Sequence, residues 1–519
     1  MLKRHYVLGS IVLLSLLLVW ARFDEFTVGS MGDDAVYTEL ARSIAEGKGP
    51  ILHYGAGSNA MAAHGHPSGY PLLISPLAYF FPSSLTALKL GSTFFFFAFA
   101  ALYFLLVRSV FSLREVQLLT AAVLLNPWTI AYANRAFSES AYLCVSFAAA
   151  LMYDRWLRSR NAFTIHLVVL TVSLALVFSI RSIGLSLLLA VALHLVYRRQ
   201  WGRLGAWGLC QIIPMMAIMF FLGSGGGDVV PKAYSRSIAG LDFIDFDQIA
   251  FMAWTLFYYV REITALTLPV FGQAANAIAV NVGWGGLYTV VLWSLGFIVL
   301  LGSLVGGMHK AWREAPGVQL LYIYYLIFLG VLCNWTYIPV DRPGGWVELR
   351  LLIPLLPLIY LFGLGGLRML AVWVGSLTSV RGPLWILFLV LPLSLAHNVY
   401  RIQVPFKEAH NAVGRGFIDF SAGTEWIREH TGFEDVIMTS SRLERHIHHH
   451  RPTVGYEEFN VMDRSRVRYV FVGPNDPDLP NTLDSSSENM LRQLKGNPER
   501  FELASADLDK DWHIYRVVR

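Results

Sequence analysis

The sequence predicts an all-α, multi-pass membrane protein followed by a small α/β unit. Three observations carry that reading. Apolar runs of roughly 18–25 residues recur along the chain, the length that takes a helix across a hydrocarbon core about 30 Å thick. The 519 residues are 55% hydrophobic and 15% charged, whereas a soluble domain carries about a quarter charged residues. Arg and Lys also collect in alternate connections between the runs.

The net charge of +5 fits membrane loops and gives no reason to expect nucleic acid. Cys144, Cys210 and Cys333 all fall inside apolar runs. That argues against a disulfide framework and leaves the redox compartment unread. The opening "MLKRHYVLGSIVLLSLLLVWARFDEF" pairs basic residues with a long apolar stretch and lacks a small-x-small cleavage site. A retained first span is expected rather than a removed signal peptide.

Spans are expected at about 7–22, 84–107, 115–133, 136–153, 162–180, 182–197, 204–222, 285–305, 317–334, 350–367 and 383–397. With the N-terminus in the cytoplasm, the inner connections hold Lys3 and Arg4, Arg108 and Arg114, "DRWLRSR", "YRRQWGR", "HKAWRE", and Arg368 with Arg381. Every one is basic, as the positive-inside rule requires. The stretch "FMAWTLFYYVREITALTLPVF" (251–271) has Arg261 and Glu262 in its middle. Ionisable groups are costly there, so it is expected to be interfacial or re-entrant. An odd span count places the C-terminal tail outside. The chain then divides into a transmembrane domain, 1–397, and an extracytoplasmic α/β domain, 398–519, with outward loops at about 23–83 and 223–284. The expected address is a plasma (inner) membrane.

The tail reads differently from the rest. "GTEWIREHTGFEDVIMTSS" predicts an amphipathic helix and then a buried strand, and "RVRYVFVG" and "WHIYRVVR" predict further strands. Helices alternating with strands over about 120 residues predict a small α/β domain. "GPNDPDLPNTLDSSSEN" is a polar loop. No internal repeat is visible.

Four constellations could carry chemistry. "GDDAVYTELARSIAEGKG" (32–49) opens a helix with two adjacent acids, Asp33 and Asp34. Asp34, Tyr37 and Ala41 share a face, and Asp33 and Tyr37 are an i, i+4 pair. One acid is enough to favour the helix N-terminus, so the second calls for another reason. "AHGHPSGYPLLISPL" (63–77) brings His64 and His66, then prolines that predict a stiff, non-helical entry to the second span. The two histidines are either solvated or available to a phosphate. "NPWTIAYANRAFSESAYL" (126–143) places Arg135 and Glu139 four apart at a membrane edge, and "SIRSIGL" puts Arg181 in a short turn. "YIPVDRPGGWVELRLLIPLLPLIY" (337–360) adds Arg342 and Arg350, and the central loop adds Lys232 and Arg236. Each arginine is either a membrane anchor or a fork for phosphate. "RHIHHHRP" (445–452) resembles a metal site in composition only, because neighbouring histidines on one strand rarely reach a single ion.

In this order, the motifs resemble the GT-C glycosyltransferases. These polyprenyl-phosphate-sugar-dependent membrane enzymes include protein O-mannosyltransferases and the lipid A aminoarabinose transferase. The acid pair followed by Tyr37 and an "ARxxxxG" helix is similar to their first-loop motif, and "HPSGYPLLISPL" to their Pro-rich motif. "NPWTIAYANRAFSESAYL" is similar to their Arg/Glu loop, "ELRLLIPLLPLIY" to their late "RYLLPLLP" segment, and "TEWIREHTGFEDVIMTSS" with "HHHRPTV" to the soluble tail of bacterial members. Asp34 stands where Glu is commoner, Ser68 where a second Pro is common, and Leu351 where Tyr often follows Arg. These departures bear on donor and acceptor more than on class.

The resemblance implies an inverting glycosyltransferase of the cell envelope, using a polyprenyl-phosphate-sugar donor and a lipid, glycan or protein acceptor. It implies Asp33 or Asp34 as catalytic base. The substrate- and lipid-phosphate-binding set is His66, Tyr37, Arg135, Glu139, Arg181, Lys232, Arg236, Arg342 and Arg350. No cofactor is firmly implied, although a divalent metal is compatible with it. The alternatives are a transporter or flippase for a polyprenyl-linked sugar, and a receptor-like protein with a binding tail. Transporter folds commonly show internal repeats, and here the charges gather at membrane edges instead.

Overall fold

The computed structural model describes residues 2–21, 23, 28, 33–52, 61–62, 66–224, 246–268, 285–311, 315–335, 349–375, 384–403, 423–439, 451–454, 456, 467–473, 485–507 and 512–518. Helices occupy all eleven places where hydropathy predicts a span. In order they are α1 (Leu2–Trp20), then α2 (Asp33–Ala45) in the first loop, α3 (Gly69–Phe80) and α4 (Leu85–Val107). Next come α5 (Leu113–Leu124), α6 (Pro127–Ala133), α7 (Ser138–Arg158), α8 (Ile165–Ile180), α9 (Leu185–Tyr197) and α10 (Trp201–Ser224). The later ones are α11 (Phe246–Thr267), α12 (Gly285–Ala311), α13 (Pro316–Trp335), α14 (Leu349–Leu352), α15 (Leu356–Gly375) and α16 (Leu384–Gln403). Among the described residues, five helices are singly long and apolar enough to cross a membrane, or six if one bent pair is taken as a span.

That bent pair corrects the third expected span. α5 and α6 meet at 61°, broken at "NPW". Pro127 has no N–H to continue the ladder and disfavours helical backbone in the residue before it. Asn126 closes the break: its side chain accepts from the Trp128 amide at 2.9 Å and donates to the Leu266 carbonyl at 2.7 Å. The Pro-rich entry to the second span is also corrected. It forms a helix of its own, α3, in which Pro71 lies in the first turn, where the missing N–H has no intrahelical partner to lose.

The stretch 251–271, expected to be interfacial or re-entrant, falls largely in α11. This helix runs beside α12, antiparallel to it. The Thr264 hydroxyl donates to the Leu292 carbonyl at 2.7 Å, and Phe257 stacks on Trp293. Arg261 and Glu262 pair with each other at 2.6 Å, which moderates the cost of two charges in an apolar helix.

Small residues let helices close where apolar burial gives little preference over lipid. A Cβ added at Gly366 on α15 would run into the Gly302 carbonyl of α12, and one at Gly306 into the Gly366 amide. Aromatic side chains fill the interior, with Phe99, Tyr103 and Phe147 mutually packed. Their buried hydroxyls find partners, such as Tyr103 to the Pro357 carbonyl at 3.2 Å and Tyr142 to Tyr324 at 2.9 Å.

Two short strands, β1 (Ile51–Leu52) and β2 (Met61–Ala62), pair antiparallel in the first loop. The tail contains helix α17 (Thr424–His430), the buried strand β3 (Val436–Met438), β4 (Thr453–Val454), β5 (Val467–Val472), α18 (Ser485–Lys495), β6 (Phe501–Asp507) and β7 (Trp512–Val517). The sheet order is β4-β3-β5-β7-β6, with β3 parallel to β4 and β5 and the other pairs antiparallel. The expected helix and three expected strands are all present.

Gly366→Leu is expected to lower the apparent Tm in detergent, by roughly the 1–3 kcal/mol typical of overpacking. Gly363→Leu, where an added Cβ meets open space, should leave it nearly unchanged. Equal melting temperatures for the two variants would show that this crossing does not depend on glycine.

Candidate functional site

The site begins with α2. Gly47 and Gly49 stop this helix, with φ of +74° and +84° that glycine adopts at no steric cost. The helix starts at Asp33, so both acids lie in its first turn, where the helix dipole favours negative charge. They do not share one environment. Asp34 is fully buried beside Tyr37 and Ala41, whereas the Asp33 side chain keeps 24% of its exposure.

The Asp33 carboxylate accepts a hydrogen bond from the Arg350 guanidinium, which arrives on α14 from 317 residues away in sequence. His66 Nδ1 lies 3.8 Å from the other carboxylate oxygen. Arg350 Nε is also 3.7 Å from Oε1 of Glu139, in the first turn of α7. The same Glu139 oxygen accepts from Arg181 Nη1 at 2.5 Å. Arg181 follows α8 in extended backbone, just before the short turn Ser182–Gly184. The result is an alternating chain, Asp33–Arg350–Glu139–Arg181, drawn from four separate segments.

Aromatic side chains line this chain. The Arg350 guanidinium lies 5.5 Å from the centroid of the Phe137 ring, and Arg135 6.0 Å from it. Tyr37 meets His66 and Tyr70 edge-on, with ring centroids 6.1 and 5.4 Å apart. The Tyr70 hydroxyl bonds Ser92 at 2.6 Å, and Ser92 donates to the Phe137 carbonyl at 3.2 Å. Gly69 explains how α3 comes so close: a Cβ there would collide with the backbone and side chain of Ser179 at the end of α8.

Burial tends to raise the Asp33 carboxyl, but Arg350, His66 and Arg181 together hold it below the ordinary value of 3.8. Asp33 is therefore a carboxylate at neutral pH. Burial, reinforced by Asp33, pushes the Tyr37 phenol up to about 12, so it remains a neutral hydrogen-bonding group. Asp34 exerts its charge on the buried Arg135 guanidinium.

The fold thus brings together Asp33, Tyr37, His66, Glu139, Arg181 and Arg350, with Asp34 and Arg135 close by. Glu139 pairs with Arg181 from the end of α8, beyond the i, i+4 Arg135 that sequence spacing offered. Lys232, Arg236, Arg342, His64 and the histidines at 446 and 448–450 lie outside the described residues. Sequence reasoning missed Tyr70, Ser92, Phe137 and Gly69, which carry no distinguishing pattern. It also missed Lys89, which a lone cation in an apolar span could have flagged. Lys89 is fully buried, with its ammonium 4.5 Å from the Phe23 ring centroid.

Among the described residues, no three His, Cys, Asp or Glu side chains are grouped to hold a metal ion. Asp33 and Glu139 each engage a guanidinium through one carboxylate oxygen. Two guanidiniums sharing one carboxylate are instead suited to an anion with several acceptor oxygens.

No protein-family model and no curated protein matches the sequence. Solved structures match its fold. ArnT from Cupriavidus metallidurans in the apo state has a TM-score of 0.57 at 13% identity, over 100% of this chain and 99% of that one. The same protein bound to undecaprenyl phosphate has 0.56 at 12%, over 98% of each chain. The archaeal oligosaccharyltransferase AglB from Archaeoglobus fulgidus, in complex with an inhibitory peptide and a dolichol-phosphate, has 0.50 at 12%, over 90% of this chain and 69% of that one. At such identities the likeness is one of fold: this chain shares the fold of ArnT and, more distantly, of AglB.

Removing one member of a buried ion pair typically costs about 3–5 kcal/mol. Glu139→Gln is therefore expected to reduce folded yield and apparent Tm, with part of the loss recovered in Glu139→Gln/Arg181→Met. A double variant no more stable than the single one would deny the coupling. A second expectation concerns pH. Because the folded Asp33 carboxyl titrates below its ordinary 3.8, its stabilisation is complete above that value and is lost as pH falls through the folded pKa. Thermal melts of wild type and Asp33→Asn should show a constant gap down to about pH 4 that closes only below it.

Proposed function

We propose that this chain is an integral-membrane, inverting glycosyltransferase that moves a sugar from a polyprenyl-phosphate donor to a lipid, glycan or protein acceptor on the outer side of the membrane. The observation that carries the reading is the Asp33–Arg350 contact, extended through Glu139 to Arg181. It places a charged carboxylate beside two guanidiniums in one partly buried cluster. The fold is shared with ArnT, seen with undecaprenyl phosphate, and with AglB, seen with a dolichol-phosphate. That supports an isoprenoid phosphate as the carrier.

An isoprenoid tail keeps its phosphate at the membrane interface, so the chemistry has to take place there. In this reading, Asp33 accepts the proton of the acceptor hydroxyl as that oxygen attacks the anomeric carbon. Attack comes from the face opposite the phosphate and inverts the configuration. The bond to the phosphate oxygen breaks, and Arg350 and Arg181 stabilise the charge that develops on the leaving group. Outward orientation follows from the basic inner connections and from the expected odd span count.

A radiolabelled polyprenyl-phosphate sugar, supplied to the protein in vesicles, tests the proposal. Transfer of label to an acceptor is expected; label that is only carried across the bilayer would favour a flippase instead. Asp33→Asn should reduce turnover by roughly 10²–10⁴-fold, the usual scale of general-base catalysis, while the protein still folds. Arg350→Ala should weaken donor binding. Full transfer activity in Asp33→Asn would discard the base assignment.

A further inference from the structure

The ionic chain at the site is balanced. Asp33 and Glu139 supply two negative charges, and Arg181 and Arg350 two positive ones. An incoming phosphate therefore meets no surplus of positive charge within this chain and has to compete for a guanidinium that already has a partner. Arg181 shares a 2.5 Å contact with Glu139, whose side chain is 1% exposed. Arg350 reaches the same oxygen only at 3.7 Å and gives its close contact to the more exposed Asp33. Arg350 is thus the member of the chain best placed to change partners.

We propose that Arg350 exchanges partners during turnover: it holds Asp33 in the resting site and passes to the phosphate of the departing lipid once Asp33 has taken the acceptor proton. This rests on the polyprenyl-phosphate reading above. The balance of the step supports it. The reactants are a neutral acceptor hydroxyl, a sugar phosphodiester carrying one negative charge and the Asp33 carboxylate carrying another. The acceptor oxygen forms a bond to the anomeric carbon, the bond from that carbon to the phosphate oxygen breaks, and the hydroxyl proton goes to Asp33. The products are a neutral glycoside, a neutral Asp33 carboxylic acid and a lipid phosphate monoester with two negative charges. One unit of charge has moved from the carboxylate to the phosphate, and Arg350 is placed to follow it.

The groups facing Asp33 are Arg350 from α14, His66 from the segment before α3, Arg181 from the end of α8, and Tyr37 from its own helix. Glu139 on α7 stands behind Arg350. Of these, Arg350 makes the direct hydrogen bond to the carboxylate. The resting carboxylate and the product phosphate are therefore competitors for the same guanidinium, and removing the carboxylate's charge should favour the phosphate.

Binding of undecaprenyl phosphate to the full-length protein in nanodiscs tests this, with the uncharged polyprenol as control. Asp33→Asn is expected to bind undecaprenyl phosphate about tenfold more tightly than wild type, the scale of one charge-assisted hydrogen bond. The gain should vanish in Asp33→Asn/Arg350→Gln. Asp33→Ser also removes the charge and serves as an independent variant if the first folds poorly; misfolding does not produce tighter binding. Wild type that binds the lipid phosphate, with either charge-removing variant binding it equally or more weakly, would overturn the exchange while leaving the donor assignment intact. Failure of wild type and all variants to bind undecaprenyl phosphate above polyprenol would sink the donor reading and the exchange together.

Discussion

A carboxylate kept ionised in a partly buried place at the edge of an apolar bundle requires a cation beside it, and the site is organised around that requirement. Burial alone would push Asp33 towards its neutral form. Arg350 supplies the compensating charge, is itself steadied by Glu139, and Glu139 is held in turn by Arg181. Each link satisfies a group that would otherwise be an uncompensated charge in a poor solvent. Four segments remote in sequence are thereby tied together, so the electrostatics of one acid also fixes how the first loop, α7, α8 and α14 meet.

Packing makes the ionic chain possible. The close seating of Gly69 on Ser179 brings His66 and Tyr70 up to the end of α8. Tyr70, Ser92 and the Phe137 carbonyl then link α3, α4 and the loop before α7 through hydrogen bonds. Phe137 presents an aromatic ring to both Arg350 and Arg135, a low-cost neighbour for guanidinium groups away from water. Elsewhere the bundle closes by the same means, with the glycines of α12 and α15 allowing backbone to meet backbone. Where residues are this small, helices approach closely enough to hold polar groups in fixed relation.

Much of this architecture is legible in the residues. Long apolar runs foretell helices because hydrocarbon leaves the backbone no partner but itself, and helices occupy each expected place. Runs of β-branched and aromatic residues foretell β5 and β7, each of which buries three consecutive residues. Local chemistry is less transparent where proline is involved. "NPW" breaks a run that hydropathy reads as one span, since apolarity records burial and not backbone geometry. "GYPLLISPL" is helical although Pro76 lies inside the helix, and Pro71, in the first turn, loses no hydrogen bond.

The sequence by itself determined the membrane class, the places of the long apolar helices, one helix and three strands of the tail, and the identity of the charged residues worth watching. It named Asp33, His66, Glu139, Arg181 and Arg350, because charges beside apolar runs are rare and conspicuous. Only the tertiary structure decided who meets whom. It paired Glu139 with Arg181 from the turn after α8, separated the partly buried Asp33 from the fully buried Asp34, and brought Arg350 to Asp33 across most of the chain. It also supplied Tyr70, Ser92, Phe137 and Gly69, whose roles lie in their neighbours alone. The reason is physical: hydropathy and propensity act over a few residues, whereas an ion pair is set by distances between elements that only close packing fixes.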